Sequence, residues 1–371
     1  MKFILCLLLM VANCTFSIAQ DHCKFSQLHN DLDSPEILQI MTYNAYWLYD
    51  REDDPNVEYD QKYKPGNYEA KLAGAAELIN RNRPDVLALQ EVENRGVLED
   101  LLTYLDRPME ILHYNSMDSF TGQDVALLYN SAKLTQSSTL KNNLEFAADL
   151  KDDDGKVIVE QRTLSKGILE VELEVKSTNE KIVFLVTHLK SQLGGWGADL
   201  KRIAQANTLR TKIEEVFAKN KKIFVLGDFN DVNPSPTIEM ITGESKYVYD
   251  YDSKDTVLLY DVFVDYEKDY NRPGFTYTLK KFIKAAGKRR YLGTFNNRID
   301  YIFRSPWIPR KKILGLCIDE SGDLVKRKPS DHYPLIMTYS SVYPNDRNDK
   351  VDDSNRREGQ NDDFGEPERD M

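Results

Sequence analysis

Ile223-Phe224-Val225-Leu226-Gly227-Asp228-Phe229-Asn230-Asp231 decides how the rest of the chain is read. Four apolar residues followed at once by a glycine, an acid and an amide describe a short buried strand ending in a polar loop. The arrangement recurs along the chain. Ile182 to Val186 runs into Thr187-His188-Leu189-Lys190-Ser191, and Asp85 to Leu89 runs into Gln90-Glu91-Val92. Met41-Thr42-Tyr43-Asn44 sets an amide among apolar neighbours, and Arg298-Ile299-Asp300-Tyr301-Ile302-Phe303 sets an acid inside a strand. Ser330-Asp331-His332-Tyr333-Pro334 precedes a closing apolar run.

Working outward, the pattern predicts strands over Leu38 to Leu48, Asp85 to Gln90, Val125 to Tyr129, Gly167 to Val175, Lys181 to Thr187, Lys222 to Leu226, Arg298 to Phe303 and Leu335 to Tyr339. Leu169 to Val175 alternates strictly with glutamates, so one face of that strand meets solvent. Asn67 can cap a helix reaching about Asn80, and Pro84 bars its continuation. Leu200 to Ala218 carries Ile203, Ala206, Leu209, Ile213 and Phe217 at helical spacing. No fixed-period repeat or linker interrupts 37–340, which predicts one α/β domain with mixed sheets.

The ends differ in character. Lys2, the apolar Phe3 to Val11 and the small residues Ser17 and Ala19 describe a signal peptide over 1–19, followed by an extension over 20–36. Removal of that peptide takes Cys6 and Cys14 and leaves Cys23 and Cys317, which an oxidising compartment would permit to pair. The net charge of −11 is uneven: Tyr343 to Met371 holds ten acidic and five basic residues, so −5 sits in a polar tail over 341–371. Such a tail has the composition of a disordered appendage. Basic residues cluster at Lys280-Lys281, Lys284, Lys288-Arg289-Arg290, Arg310-Lys311-Lys312 and Lys326-Arg327-Lys328, and would attract a polyanion if they share a face. With 41% hydrophobic residues a wholly disordered protein is excluded, and two remaining cysteines exclude a disulfide-built scaffold.

A single carboxylate at a strand end is ordinarily a cap or a turn residue. Six polar sites on successive strands are different, because charged or amide groups buried without partners cost several kcal/mol. Oxygen ligands and imidazoles are on offer and no cysteine is, which suits Mg²⁺, Mn²⁺ or Ca²⁺ better than structural zinc.

Gln90-Glu91-Val92, Thr187-His188-Leu189-Lys190-Ser191, Gly227-Asp228-Phe229-Asn230-Asp231, Arg298-Ile299-Asp300-Tyr301 and Ser330-Asp331-His332-Tyr333-Pro334 occur in the order of the endonuclease/exonuclease/phosphatase superfamily. The chain resembles that superfamily over about 37–340, and in particular its secreted bacterial-type nucleases. The resemblance implies a deoxyribonuclease-like fold, a four-layer α/β sandwich of two packed mixed β-sheets flanked by helices. It implies a phosphoric ester hydrolase dependent on a divalent cation, Mg²⁺ first, with Mn²⁺ or Ca²⁺ as alternatives. Glu91 matches the principal metal ligand, with Asn44 beside it on metal or phosphate and Asp331 completing the metal environment. Asp228 and Asn230 match the pair that orients the attacking water and binds phosphoryl oxygens. His332 matches the imidazole beside the scissile phosphate, Asp300 the acid that sets its tautomer, and His188 a phosphate contact or an aid to the leaving group. Arg162 is a further candidate phosphate contact.

One position departs from the deoxyribonuclease pattern. A glutamate there pairs with the histidine matching His188, whereas this chain reads Gly122-Gln123-Asp124-Val125. Either Asp124 substitutes or Gln123 holds His188 without charging it. The superfamily also cleaves sphingomyelin, nucleotides and inositol phosphates; the Trp-Cys-Asp-Arg sequence of inositol 5-phosphatases is absent at Asn297-Arg298-Ile299-Asp300. Leu193-Gly194-Gly195-Trp196-Gly197 is a candidate membrane or substrate-rim loop. The expectation is a secreted nuclease, extracellular or periplasmic and monomeric, with nucleic acid as substrate and no obligate protein partner. A sphingomyelinase-like enzyme or a phosphomonoesterase is the alternative, and a phosphorylated small molecule or lipid is then the substrate. A non-catalytic binding module would lack ligand positions, and none of the matched positions is missing.

Overall fold

The computed structural model describes residues 32–58, 65–143, 150–151, 157–159, 166–219, 221–243, 258–264, 275–285, 288–321 and 329–343. Arg162, Cys23, the signal peptide, the basic run Lys326-Arg327-Lys328 and all but the first residues of the acidic tail lie outside them.

In chain order the elements are β1 (Ile37–Leu48), α1 (Tyr68–Asn82), β2 (Val86–Val92), α2 (Arg95–Leu102), β3 (Met109–His113), β4 (Asp124–Asn130), β5 (Leu134–Gln136) and β6 (Lys141–Asn143). Next come β7 (Leu150–Lys151), β8 (Val157–Val159), β9 (Ile168–Val175), β10 (Glu180–His188), α3 (Trp196–Phe217), β11 (Ile223–Asp228) and α4 (Pro236–Thr242). The chain closes with β12 (Tyr260–Asp261), β13 (Tyr277–Ala285), β14 (Lys288–Asn297), β15 (Asp300–Arg304), β16 (Ile313–Ile318) and β17 (Leu335–Ser340).

Two mixed sheets result. One has the order β16-β17-β1-β2-β4-β3; the other runs β12-β15-β11-β10-β9-β5, with β6 also on β9. Side chains alternate across each strand, so every strand feeds two layers. Leu38 and Ile40 of β1, Val86 and Ala88 of β2, and Leu335 and Met337 of β17 meet Phe184 and Val186 of β10 and Phe224 and Leu226 of β11 in one core between the sheets. The intervening Met41, Tyr43, Leu87 and Leu89 pack under Leu72, Ala75, Ala76 and Ile79 of α1. Val183, Leu185, Ile223 and Val225 pack under Leu209, Ile213 and Val216 of α3 and Ile238 of α4. Helix, sheet, sheet, helix: the fold is the four-layer α/β sandwich expected.

All eight strands read from the sequence are present. Asn67 does cap α1, its side chain accepting from Ala70 N at 2.9 Å, and Arg83 ends the helix in the left-handed region with its N–H on Ile79 O. α3 starts four residues before the position expected, at Trp196, because the Gly194–Gly195 turn brings the chain round sooner. Absent from those eight are β3 and β16, buried edge strands of five and six residues, and the long β13–β14 ribbon. β5, β6 and β12 have only two or three residues and pair on β9 and β15. Cys317 is disulfide-bonded. Among the described residues no helix is long and apolar enough to cross a membrane.

Candidate active site

The register of the strands assembles the site. Parallel pairing sets His188 opposite Asp228, and antiparallel pairing sets Asp228 opposite Asp300. In β10 the residues facing the other sheet are Phe184 and Val186, and His188 is next in that alternation. In β11 they are Phe224 and Leu226, and Asp228 follows; in β1 Leu38 and Ile40 lead through Thr42 to Asn44. In β10 and β11 the inner stripe is apolar until its last position, and in β1 it turns polar from Thr42, so the polar groups face the mouth between the sheets.

Glu91 needs a different device. It has φ 60°, and the pairing of β2 shifts register on both sides of it. Such an irregularity re-aims a side chain, here toward Asn44, whose Nδ2 donates to Glu91 Oε1 at 3.1 Å. Tyr46 and Trp47 also have positive φ, and Trp47 N donates to Glu91 Oε2 at 3.1 Å. Asn230 is the fourth non-glycine residue of this region in the left-handed conformation. Each costs of order ~1 kcal/mol or more and is held by the surrounding bonds. Gly227 has φ 147°, and a Cβ there would sit 1.9 Å from Thr187 O, so only glycine fits.

Asp228 is the hub. Its Oδ2 accepts from Asn44 Nδ2 at 2.9 Å and its Oδ1 from Asn230 N at 2.8 Å. His188 Nε2 lies 3.6 Å and His332 Nε2 3.8 Å from Oδ2. Burial, reinforced by the charge of Asp300, pushes the Asp228 carboxyl up to about 7, against His332 and the bonds from Asn44 and Asn230. His332 Nδ1 donates to Asp300 Oδ2 at 2.8 Å. Burial alone would depress His332, but the charge and hydrogen bond of Asp300, with Asp228 and Asp331, raise it to about 10. Ser330 ties this corner together: its hydroxyl donates to Asn44 O at 2.7 Å and accepts from His332 N at 3.0 Å.

The structure thus brings together Asn44, Glu91, His188, Asp228, Asn230, Asp300 and His332. Asp331 stands at the rim, its side chain 38% exposed and its Oδ1 3.9 Å from His332 Nε2. Asn44 Oδ1 accepts from Tyr46 N at 2.9 Å, which leaves that oxygen one lone pair. Asn230 Nδ2 donates to Leu189 O. The expected partner of His188 resolves differently from either reading of the sequence. Asp124 is committed to His113 Nε2 at 2.7 Å and to Ser116 N at 2.8 Å, so it does not substitute. Gln123 reaches His188 only through Lys166, whose Nζ donates to Gln123 Oε1 and lies 3.2 Å from His188 Nδ1. Burial, Lys166, His332 and Lys190 together hold His188 well below the usual imidazole value, so it is neutral. Lys166 has no signal in the sequence, because Leu164-Ser165-Lys166-Gly167 carries no motif. Tyr277 is likewise silent there; it forms an isolated bridge to His332, ring centroids 4.9 Å apart.

The donor set fits a hard divalent cation. Glu91, His188 and Asp228 offer ligand atoms within 4.8 Å of one another, as do Asp228, Asp300 and His332. Asp300 Oδ1 and Asp331 Oδ1 are buried atoms with no hydrogen-bond partner. Clustered carboxylates with a spare buried oxygen are the chemistry such an ion takes.

The profile of the Endonuclease/Exonuclease/phosphatase family matches residues 39–271, most of the chain. The chain belongs to that family. As a member it is a phosphoric ester hydrolase of a group in which divalent-metal dependence is typical. Solved structures share the fold. Mannosyl-6-phosphatase of Bacteroides thetaiotaomicron is 17% identical with a TM-score of 0.52, covering 81% of this chain and 98% of its own. D. rerio TDP2, solved with a single-strand DNA product, is 16% identical with a TM-score of 0.53, covering 83% and 100%. The human Nocturnin catalytic domain, solved with sulfate, is 18% identical with a TM-score of 0.50, covering 82% and 94%. At such identities they establish the architecture and leave the substrate to the site. No curated protein matches the chain by sequence.

Proposed function

We propose that this family member is a secreted phosphodiesterase that hydrolyses nucleic acid by in-line attack of water on phosphorus. The observation that carries the reading is the convergence on Asp228 of one amide, two imidazoles and a second buried acid, at a mouth that also holds Glu91. Asp228, held by Asn44 and Asn230, accepts the proton of the attacking water. His332, kept cationic by Asp300, faces the same oxygen and stabilises charge growing on the phosphoryl group. Asn44 and Asn230 position phosphoryl oxygens. Glu91 and Asp228, with Asn44 and Asp331 nearby, would hold the cation, for which Mg²⁺ is the proposed ion. When bound it supplies Lewis-acid neutralisation of the phosphoryl oxygens.

Two features support a polyanionic substrate. The β13–β14 ribbon holds Lys280, Lys281, Lys284, Lys288, Arg289 and Arg290 with no acidic residue, and its first residue, Tyr277, bridges to His332. D. rerio TDP2 was solved with a single-strand DNA product. Arg310-Lys311-Lys312 does not join this surface as a free patch: Lys312 is buried on Glu180 at 2.8 Å and on Ser341 O. Secretion, with 1–19 as signal peptide, 37–340 as the catalytic unit and 341–371 as an acidic tail, is supported by the disulfide at Cys317. A lipid phosphodiester is the second reading, favoured by Leu193 and Trp196, which are 77% and 73% exposed after the His188 loop. The test is a panel of DNA, RNA, nucleoside monophosphates and sphingomyelin with Mg²⁺, Mn²⁺ and Ca²⁺ in turn. Cleavage of DNA or RNA is expected; cleavage confined to sphingomyelin or to monophosphates overturns the nuclease reading.

A further inference from the structure

His188 and Asp228 end β10 and β11 side by side, and the loops that leave them, Leu189 to Ser191 and Phe229 to Asp231, lie outside any helix or strand. Both loops are tied to α3. Arg202 and Gln205 stand three residues apart on that helix and so share a face. Gln205 Oε1 accepts from Lys190 N at 2.7 Å, and Arg202 Nη1 donates to Lys190 O at 3.2 Å. One residue of the first loop is thus held by both of its backbone groups. Nε of the same guanidinium reaches the second loop, donating to Asp231 Oδ2 at 3.0 Å, while Nη2 donates to Asp199 Oδ1 at 2.7 Å on its own helix.

Arg202 is 4% exposed and lies on the buried stripe of α3 with Ala198 and Leu209. A guanidinium withdrawn from water is costly, and an apolar side chain would fill that stripe more cheaply if only packing were served. Its fixed fork holds three acceptors at once, which a lysine on a flexible stem is not preorganised to do. Asp231 is fixed in turn: its Oδ2 also accepts from Thr237 Oγ1 at 2.7 Å, and its carbonyl accepts from Tyr301 Oη at 3.2 Å. Asn230, with φ 53°, is therefore held from both sides, by its N–H on Asp228 Oδ1 and by the anchored Asp231. Leu189 N on Asp228 O at 2.9 Å and Asn230 Nδ2 on Leu189 O at 3.1 Å close the circuit between the loops.

We propose that Arg202 is a positioning residue that joins the two loops into one unit, so that His188 and the Asp228–Asn230 pair keep fixed places relative to each other during hydrolysis. It acts through Lys190 O and Asp231 and touches none of the reacting groups. The effect on turnover rests on the hydrolytic reading of the cleft; the coupling of the loops does not.

Turnover of bis(4-nitrophenyl) phosphate by the full-length protein with Mg²⁺ tests the first part. Arg202→Met is expected to lower kcat by about 10²-fold, the scale of a misplacement near ~1 Å. KM should stay within about threefold, since the bonds lost are not to substrate. Arg210→Met is the comparison for a purely structural arginine. Arg210 bonds Glu214 at 2.7 Å and Met240 O at 2.9 Å, on the same helix but on neither loop. Its loss should lower stability and leave the kcat of the folded protein within about twofold. In an Asn230→Ala background, Arg202→Met should cost less than about tenfold, because residues that act through one another are not additive. Equal kcat in Arg202→Met and Arg210→Met overturns the proposal, and so does an undiminished loss in the Asn230→Ala background.

Amide hydrogen exchange reads the coupling without any substrate. Leu189, Lys190 and Asn230, whose N–H groups bond within this unit, should lose more protection in Arg202→Met than Val183 to Val186 inside β10. Arg210→Met should show no such local loss. Unchanged relative protection at the three amides in Arg202→Met refutes the coupling. If Arg202→Met does not fold, Arg202→Lys and Gln205→Leu, each of which removes part of the clamp, carry the same comparisons. A protein inactive on every phosphate ester undoes the hydrolytic reading, and exchange at these amides still decides whether Arg202 joins the loops.

Discussion

Asp228 and Asp300 lie directly opposite each other across β11 and β15, two acids buried at one end of a sheet. Such a pair is tolerable only with positive charge nearby. His332 meets part of that need, bonding Asp300 at 2.8 Å and facing Asp228 at 3.8 Å. A bound cation would meet the rest.

Cation affinity should therefore follow the protonation of Asp228, which titrates at about 7. Below that value the ion must displace a proton, so affinity is expected to fall by about tenfold per pH unit. Without a cation the sign for stability is opposite to that of an ordinary paired acid. The folded-state value lies above the ordinary 3.8, so ionisation removes stability as pH rises from 3.8 through about 7. Thermal unfolding across this range, with and without Mg²⁺, is expected to show the ion stabilising the protein most at the alkaline end. Equal stabilisation at all pH values would contradict the assignment.

The His332–Asp300 pair has its own window. The folded-state value of His332 is raised from 6.5 to about 10, so its contribution to stability is complete below 6.5 and lost as pH rises through about 10. Asp300→Asn should be destabilised relative to wild type at neutral pH, and the gap should close toward pH 10. Urea unfolding at several pH values reads it. Activity is expected to drop by about 10²- to 10⁴-fold, the range for a lost acid–base group.

Gly227→Ala is expected to cost at least about 3 kcal/mol, since the new Cβ would meet Thr187 O at 1.9 Å with φ at 147°. Separating β10 from β11 would also pull His188 away from Asp228. Calorimetry and circular dichroism check the first effect, and residual hydrolysis the second. A stable, fully active Gly227→Ala protein would refute this account of the strand ends.

Replacing Lys280, Lys281, Lys288, Arg289 and Arg290 with serine should weaken DNA binding and flatten its salt dependence. Every phosphate that is no longer neutralised reduces the slope of log affinity against log salt by about 0.9. Fluorescence anisotropy at several salt concentrations measures it. An unaltered slope would remove the ribbon from substrate binding.

Much of the site was legible because burial leaves a local signature. Apolar runs closing on His188, Asp228 or Asn44 announce strands whose ends gather in one place, and the alternation of side chains carries that reading into three dimensions. β5, β6 and β12 were not legible, since two or three residues have no period and pair only because a neighbouring edge is open. The positive φ of Glu91 was hidden for a related reason: a glycine would have signalled it, while a glutamate is forced there by bonds from Trp47 N and Asn44.

The amino-acid sequence by itself determined one α/β domain with mixed sheets and the identity of the polar groups at its strand ends, because hydrophobic periodicity and residue chemistry are properties of the chain; the four layers came from the family resemblance. The missing acid near His188 was visible there too, as Gln123. What replaces it was decided by tertiary structure alone. Lys166 and His188 are 22 residues apart and meet through the register of two antiparallel strands, and Asp124, adjacent in sequence, is spent on His113. Which charge stands behind an imidazole depends on distances of a few ångströms, and only the packed sheets fix those.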